Sequence, residues 1–129
     1  MRAERTPAAP GPRVQGFAGR GFRIDGQTYD GALLTPETVQ AWTPPPLAQL
    51  GEADVALLLA LEPGPEFLLL GTGATLAFPP RTFVAALEAR GGGVEAMDSR
   101  AAARTWGVLR GEGRWIGAAL MPLQAATSP

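Results

Sequence analysis

The first half of the chain alternates apolar and polar residues over short stretches, a pattern that is typical of β-strands. In "GFRIDGQTYDGALL", Asp25-Gly26 separates two such stretches, and Asp-Gly at this position is a strong signal for the two-residue turn of a β-hairpin. Further short strands are predicted over residues 31–34 and 39–42, before the proline run at residues 44–46. We therefore expect antiparallel strands, beginning with a hairpin, in this half.

The second half alternates strand-like and helix-like segments. Residues 67–70 form a continuous apolar run between breakers, as in a strand buried on both faces. A helix is predicted over residues 80–90, a strand over 93–97, another helix over 98–110 and a last strand over 114–121. Connections of this length usually form right-handed parallel crossovers. The predicted fold class is α/β, with three layers: a mixed central sheet, helices on its faces and the N-terminal antiparallel hairpin packed to one side.

Residues 52–61 are predicted to form a helix of unusual composition. Glu52 and Asp54 place acidic charge in its first turn, where the helix dipole favours it, and the remainder is apolar on almost every face. Such a helix is either sandwiched in the core or exposes an apolar patch that binds another chain. The second alternative defines a candidate interaction surface made of Trp42, Val55, Leu58 and Leu59.

The length of 129 residues supports a single domain. We place it at residues 14–123, between a disordered N-terminal segment over residues 1–13 and a flexible tail over residues 124–129. The longest apolar run, residues 55–61, is far shorter than the about 20 residues that a membrane span needs. No hydrophobic stretch typical of a signal peptide follows the N-terminus. We therefore expect a soluble, cytoplasmic protein without a membrane span.

The composition removes several classes of chemistry. The chain has no cysteine, histidine or lysine, so thiol nucleophiles, histidine bases, phosphate-loop lysines and Schiff bases are excluded. The net charge of −1 indicates no attraction to nucleic acid. The abundance of alanine, glycine, proline and arginine suggests a GC-rich bacterial genome. We expect a non-enzymatic domain with no catalytic residue, metal site, cofactor or nucleic-acid partner.

The stretch "FLLLGTGATLAFPP" ends a predicted strand on two glycines and is the strongest candidate for a site. A dinucleotide fingerprint would need a third glycine where Leu76 stands, and a Walker loop would need a lysine. The glycines either allow a sharp backbone turn or present N–H groups to a small carboxylate or phosphate, since ligands of open α/β sheets bind beyond the carboxyl ends of strands. The candidate ligand-binding residues are Gly71, Thr72, Gly73, Asp98, Arg104, Thr105, Glu112 and Arg114.

Asp98 or Ser99 is expected to cap the helix over residues 98–110, and an N-cap contributes about 1 kcal/mol. Arg100 and Arg104 lie one turn apart on this helix and repel each other unless a carboxylate compensates them. Glu95, Glu112, a neighbouring loop or a partner would supply that carboxylate. The alternatives are an internal ion-pair network, in which Glu112 pairs with Arg104 or Arg114, and contact with a ligand or partner. The predicted buried stripe of the helix is Ala102, Thr105, Trp106 and Leu109.

Several motifs in one order resemble a known family. "GFRIDGQTYDGALLTPETVQAW" is followed by "LLLGTG", "PP", "GVEAMDSRAAARTWGVLRGEGR" and "AALMPL". Together they resemble a family of poorly characterised domains that includes mitochondrial complex I assembly factor three, the adipogenesis-associated domain protein of animals, and bacterial and archaeal relatives. The resemblance extends from about residue 14 to residue 123. The family motifs fall on Gly71, Thr72, Gly73, Pro79, Pro80, Met97, Asp98, Ala101, Ala102, Arg104, Thr105, Glu112, Gly113 and Arg114.

The resemblance implies a compact α/β domain with a mixed sheet, without known catalytic activity or cofactor, that acts by binding other proteins. In one eukaryotic relative the binding serves respiratory complex I assembly. The chain departs from the family in two ways: Trp106-Gly107 replaces an aromatic–asparagine pair, and Ala103 stands where a cysteine is frequent. We predict a protein-interaction or assembly-factor domain whose partners are other proteins or a second copy of itself. The alternative is a small anionic-ligand domain that uses Gly71-Thr72-Gly73 and Arg104.

Overall fold

The computed structural model describes residues 11–124. Within this range the chain forms eight β-strands, three α-helices and two short 3-10 helices at Leu47–Gln49 and Glu52–Val55. Residues 1–10, expected to be disordered, and residues 125–129, expected to be flexible, lie outside the described residues. The strands are β1 (Val14–Ala18), β2 (Gly21–Ile24), β3 (Gln27–Tyr29), β4 (Ala32–Leu34), β5 (Val39–Ala41), β6 (Leu68–Gly71), β7 (Val94–Met97) and β8 (Gly117–Leu120), and the helices are α1 (Ala56–Leu59), α2 (Arg81–Ala89) and α3 (Ser99–Gly111).

Ordered contacts begin before Val14, where the domain was expected to start. Pro12 is buried, and its carbonyl accepts a hydrogen bond from Trp106 Nε1 at 3.1 Å. The backbone N–H of Arg13 donates to Asp25 Oδ1 at 3.0 Å. Residues 12 and 13 thus contact α3 and the hairpin turn, and the domain bounds at residues 14–123 stay a prediction.

The strands form two sheets. The small sheet has the order β1-β2-β3 and is antiparallel, and its second hairpin turns at Asp25 and Gly26 with φ values of 50° and 85°. The large sheet has the order β5-β4-β8-β6-β7. In it β6 runs parallel to both β7 and β8, whereas β4 is antiparallel to β5 and β8. The predicted mixed sheet and the Asp-Gly hairpin are both confirmed.

The two faces of the large sheet are covered by different layers, because successive side chains of a strand point to opposite faces. Leu69 packs on the face that α3 and the small sheet cover, together with Phe22 and Trp106. Leu68 and Leu70 pack on the other face, which α1 and α2 cover. All three leucines of β6 are buried, as the continuous apolar run predicted. The three-layer arrangement expected from the sequence is confirmed.

The segment expected as one helix over residues 52–61 is a 3-10 helix followed by the four-residue α1. Val55 and Leu58 are fully buried, and Trp42 is 9% exposed with its Nε1 donating to the carbonyl of Asp54 at 2.9 Å. Leu59 is half-buried. The candidate interaction surface is therefore corrected: three of its four side chains form the core over the second sheet face, which needs an apolar cover. The sandwiched alternative describes this segment.

Candidate functional site

The glycine corner at the end of β6 packs directly against the start of α3. A Cβ placed on Gly71 would lie 2.7 Å from Ser99 Oγ and 2.9 Å from Ser99 Cα, so only glycine permits this approach. Gly73 has a φ of +105°, a conformation that other residues rarely adopt. The backbone therefore requires glycine at both positions. This agrees with the first alternative derived from the sequence, in which the glycines allow a sharp backbone turn.

The corner uses its own N–H groups. The N–H of Thr72 donates to the carbonyl of Met97 at 2.9 Å, and the N–H of Gly73 donates to Ser99 Oγ at 2.9 Å. Ser99 Oγ in turn donates to the carbonyl of Met121 at 2.8 Å. These bonds join the ends of β6, β7 and β8. The two N–H groups are engaged within the protein, so the structure does not offer them to an anion.

Ser99 is the central residue of this corner, and it is fully buried. From the sequence alone, Ser99 is an alternative to Asp98 as the cap of α3. The structure gives that role to Asp98, whose Oδ1 accepts from the N–H of Ala101 at 2.9 Å. Thr105, another candidate ligand residue, directs its Oγ1 to the sulfur of Met97 at 3.5 Å. Asp98 and Thr105 thus serve local packing and capping.

Arg114 pairs with a carboxylate that the sequence argument did not consider. Its Nη2 and Nε lie 2.7 Å and 2.9 Å from Glu66 Oε1, and Glu66 Oε2 accepts from the N–H of Trp115 at 3.1 Å. The hydrogen bond from Arg114 is the main cause that holds the pKa of Glu66 below its ordinary value, and the pKa of Arg114 is raised. The sequence left Arg104 and Arg114 open as partners of Glu112; among the described residues Arg114 forms its ion pair with Glu66 instead, because the turn after α3 brings it to the strand entry there.

Arg100 and Arg104 form no ion pair among the described residues, so the expected internal network on α3 is not formed there. The guanidinium of Arg100 instead lies 5.6 Å from the ring centroid of Phe17, a cation–π distance. Arg104 is exposed and faces β1. The candidate ligand residues therefore lie at three places: the start of α3, its middle and the turn beyond its end.

A cleft of about 620 Å³ opens beyond the carboxyl ends of β6 and β8, where ligands of α/β sheets were expected. Thr72 and Gly73 border it, as do Arg20 and Asp30, whose side chains approach to 3.3 Å. Arg104 does not line this cleft. The cation nearest to the glycine corner in this cleft is therefore Arg20, which already faces a carboxylate.

A second depression, of about 450 Å³, lies between β1 and α3, and we call it the β1–α3 groove. Two of its large apolar side chains are unusually exposed, Phe17 at 42% and Val108 at 61%. Two signals in the sequence indicate these exposed side chains. Strand alternation points Phe17 outward, and Val108 lies outside the buried stripe of α3. The groove is lined by Val14, Gln15, Gly16, Phe17, Ala103, Arg104, Gly107 and Val108.

Two features are absent from residues 11–124. No helix in this part of the chain is both long and apolar enough to cross a membrane. No group of three or more acidic side chains within it is placed to hold a metal ion.

The fold and the site together define a class: a three-layer α/β domain in which a glycine corner closes on a buried serine and a separate groove exposes Phe17 and Val108. Comparison with known sequences is consistent with this class. The chain belongs to the family described as protein of unknown function (DUF498/DUF598), whose sequence model matches residues 14–121. The resemblance derived from the motifs is thereby confirmed.

Several named proteins are similar to this chain over most of its length. An uncharacterized protein of Rhodobacter capsulatus is 39% identical over 125 residues, which covers 89% of this chain and 95% of that protein. NADH dehydrogenase (ubiquinone) 1 alpha subcomplex assembly factor 3 is 34% identical in Danio rerio and 33% identical in Homo sapiens, over 93% and 94% of this chain. The matched regions are 70% and 66% of the two assembly factors, so this chain spans about two thirds of their length.

Solved structures share the fold. The solution structure of a Mth938-like domain of Bordetella pertussis superimposes with a TM-score of 0.78 at 27% identity and covers 98% of this chain and 95% of that one. A Xanthomonas campestris protein gives a TM-score of 0.75 at 36% identity, with 92% and 89% of the two chains covered.

Proposed function

We propose that this chain is a protein-binding domain that acts as an assembly factor. The observation that carries the proposal is the β1–α3 groove. Phe17 and Val108 both line this groove, and both are exposed instead of being covered by other described residues. Apolar side chains gathered at one concave surface are typical of interaction sites. The similarity to relatives named as assembly factors supports the same function.

The names of those relatives also suggest a client. We propose that the chain assists the assembly of a multi-subunit NADH dehydrogenase, by holding one of its subunits before that subunit joins the complex. This role needs shape and surface, and it makes no demand for a nucleophile or a proton-transfer residue. The composition of the chain, without histidine, cysteine or lysine, is consistent with such a role.

Deletion of the gene in its host tests this function. We expect native gel electrophoresis to show less full-size NADH dehydrogenase and an accumulation of smaller subcomplexes, with both effects reversed by the wild-type chain. NADH oxidation by membranes should fall in proportion to the assembled complex. If the deletion strain contains the normal amount and size of this complex, and of every other multi-subunit complex on the gel, the proposed function is wrong.

The alternative of a small anionic ligand finds little support in the contacts described above. Gly71-Thr72-Gly73 and Arg104 do not line one cavity, and the N–H groups of Thr72 and Gly73 are engaged. A thermal-shift screen against phosphates, carboxylates and nucleotides checks this alternative. A rise in melting temperature with one ligand that Arg104→Ala abolishes would favour it over protein binding.

Two further expectations stay predictions. Self-association is checked by sedimentation at several concentrations, since a homodimer would dissociate on dilution. The cytoplasmic location is checked by fractionation of host cells.

A further inference from the structure

The β1–α3 groove has a free β-edge along one wall. Within residues 11–124, β1 pairs with β2 alone, so its other edge has no neighbouring strand. Among the described residues, no backbone hydrogen bond outside the sheet involves residues 14–18. Residues of β1 and α3 together line the groove of about 450 Å³. The N–H and C=O groups on that edge are therefore available to another extended chain.

This edge lacks two of the features that usually protect edge strands from pairing, namely charged side chains and proline. β1, "VQGFA", contains neither a charged residue nor a proline, and its five residues make it longer than the other edge strands of the described chain. The edge strands β3 and β5 have three residues each, and β7 carries Glu95. A bulge between Val14 and Gly16 leaves the regular part of β1 at residues 16–18. β1 thus keeps three regularly paired, uncharged residues at an edge beside the groove.

The opposite wall of the groove is positively charged. Arg104 lines it, and Arg100 stands one turn earlier on α3 against the Phe17 ring. No carboxylate of the described residues lies within 4 Å of either guanidinium. A strand that adds to β1 beside α3 would therefore gain from acidic side chains on the side that faces these two arginines.

The apolar part of the groove has room for side chains. Phe17 and Val108 form its exposed apolar sides. Gly16 and Gly107 line it without side chains, and a Cβ built on either residue meets nothing within 4 Å. An incoming apolar side chain would find space over the two glycines.

We propose that the β1–α3 groove binds an extended segment of the client protein, which adds as a fourth strand to β1. The segment carries acidic side chains towards Arg100 and Arg104 and at least one apolar side chain over Gly16 and Gly107. This inference rests on the proposed function, since it names how the client is held. A second copy of this chain fits less well, because antiparallel pairing of two β1 edges would gather four of these arginines around one interface.

Short random peptides displayed on phage, selected on the full-length chain, provide the test. We expect selected peptides to combine acidic residues with apolar, β-forming residues. Gly107→Trp should abolish their binding by filling the groove, whereas Gly107→Ala should retain it. Arg104→Glu should weaken binding by about tenfold or more, because it reverses a charge at the interface. Arg81→Glu, at an exposed position of α2, should leave binding unchanged. Amide exchange of residues 16–18 should slow when a synthetic copy of a selected peptide is bound.

Other results would overturn the groove proposal. They are failure to select any peptide, selection of peptides without acidic residues, and equal binding by Gly107→Trp with circular dichroism unchanged. A dimer that Gly107→Trp converts to monomer would show that a second copy occupies the groove. The gene deletion separates this proposal from the function: normal complexes in the deletion strain contradict the assembly role even if peptides bind at β1. Impaired assembly that Gly107→Trp rescues fully would instead retain the assembly role and exclude the groove.

Discussion

Ser99 Oγ occupies the space that a side chain on residue 71 would need, since a Cβ built on Gly71 lies 2.7 Å from that oxygen. This contact explains why β6 ends in glycine without any ligand at the corner. It lets the first residue of α3 reach across β6 and bond to the carbonyl of Met121 beyond β8. The glycine corner is thus a joint between three strands and a helix.

Gly71→Ala should destabilise the protein by about 1–3 kcal/mol, the usual cost of forcing an extra methyl group into a packed site. The new Cβ would also lie 2.9 Å from Ser99 Cα, so a rotation of the serine side chain cannot relieve the clash. Urea unfolding measures the loss. Gly93→Ala is the matched control, because a Cβ at that position meets nothing within 4 Å. Equal stability of the two variants would contradict the close packing of β6 on α3.

Ser99→Ala should cost about 1–3 kcal/mol, because it leaves the N–H of Gly73 and the carbonyl of Met121 without their side-chain partner in a buried place. Amide exchange should show faster exchange at Gly73, while the centre of α3 stays protected. If Gly73 retains its wild-type protection in this variant, the hydroxyl is not the group that holds the corner closed.

Leu58→Ala should destabilise the fold by about 2–5 kcal/mol, as large-to-small changes do in cores. The neighbouring Leu57→Ala should cost much less, because Leu57 is 36% exposed whereas Leu58 is fully buried. Thermal unfolding of the two variants compares two leucines of the same short helix. Similar losses would contradict the assignment of Leu58 to the core, and a selective loss of client binding by a stable Leu58 variant would restore it as a contact residue.

The ion pair of Glu66 and Arg114 should depend on pH in a defined direction. The pKa of Glu66 is lowered in the folded protein, so its contribution to stability is present above the unfolded carboxyl pKa and is lost as the pH falls through the lowered folded value. Carboxyl NMR titration should place the Glu66 midpoint below the ordinary value of about 4.3. Arg114→Gln should raise this midpoint, and an unchanged midpoint would show that Arg114 is not the main cause of the shift.

Local signals in the sequence account for much of the fold. Asp25-Gly26 predicted its hairpin because the turn depends on two adjacent residues that tolerate positive φ. Asp98 predicted the start of α3 because capping is a bond across three residues. The leucines of β6 predicted a central strand because a strand covered on both faces has no polar side.

The site was harder to predict because its contacts join distant parts of the chain. Arg114 pairs with Glu66, 48 positions earlier, whereas the carboxylates predicted as partners lie near α3 in the sequence. Arg110, near the end of α3, is largely buried and reaches the carbonyl of Pro36 at 3.5 Å, a role that its position in a charged helical segment did not indicate. Neither pairing leaves a trace in local spacing.

By itself, the sequence determined the α/β class, the alternation of strands and helices after residue 67, the start of α3 and the membership of the family, because turn chemistry, hydrophobic period and motif order are local properties. Only the tertiary structure decided that Leu58 is core, that the corner N–H groups close on Ser99, and that Phe17 and Val108 share a groove with Arg104. Those outcomes depend on which sheet face or helix approaches each residue, and burial and pairing are consequences of that approach.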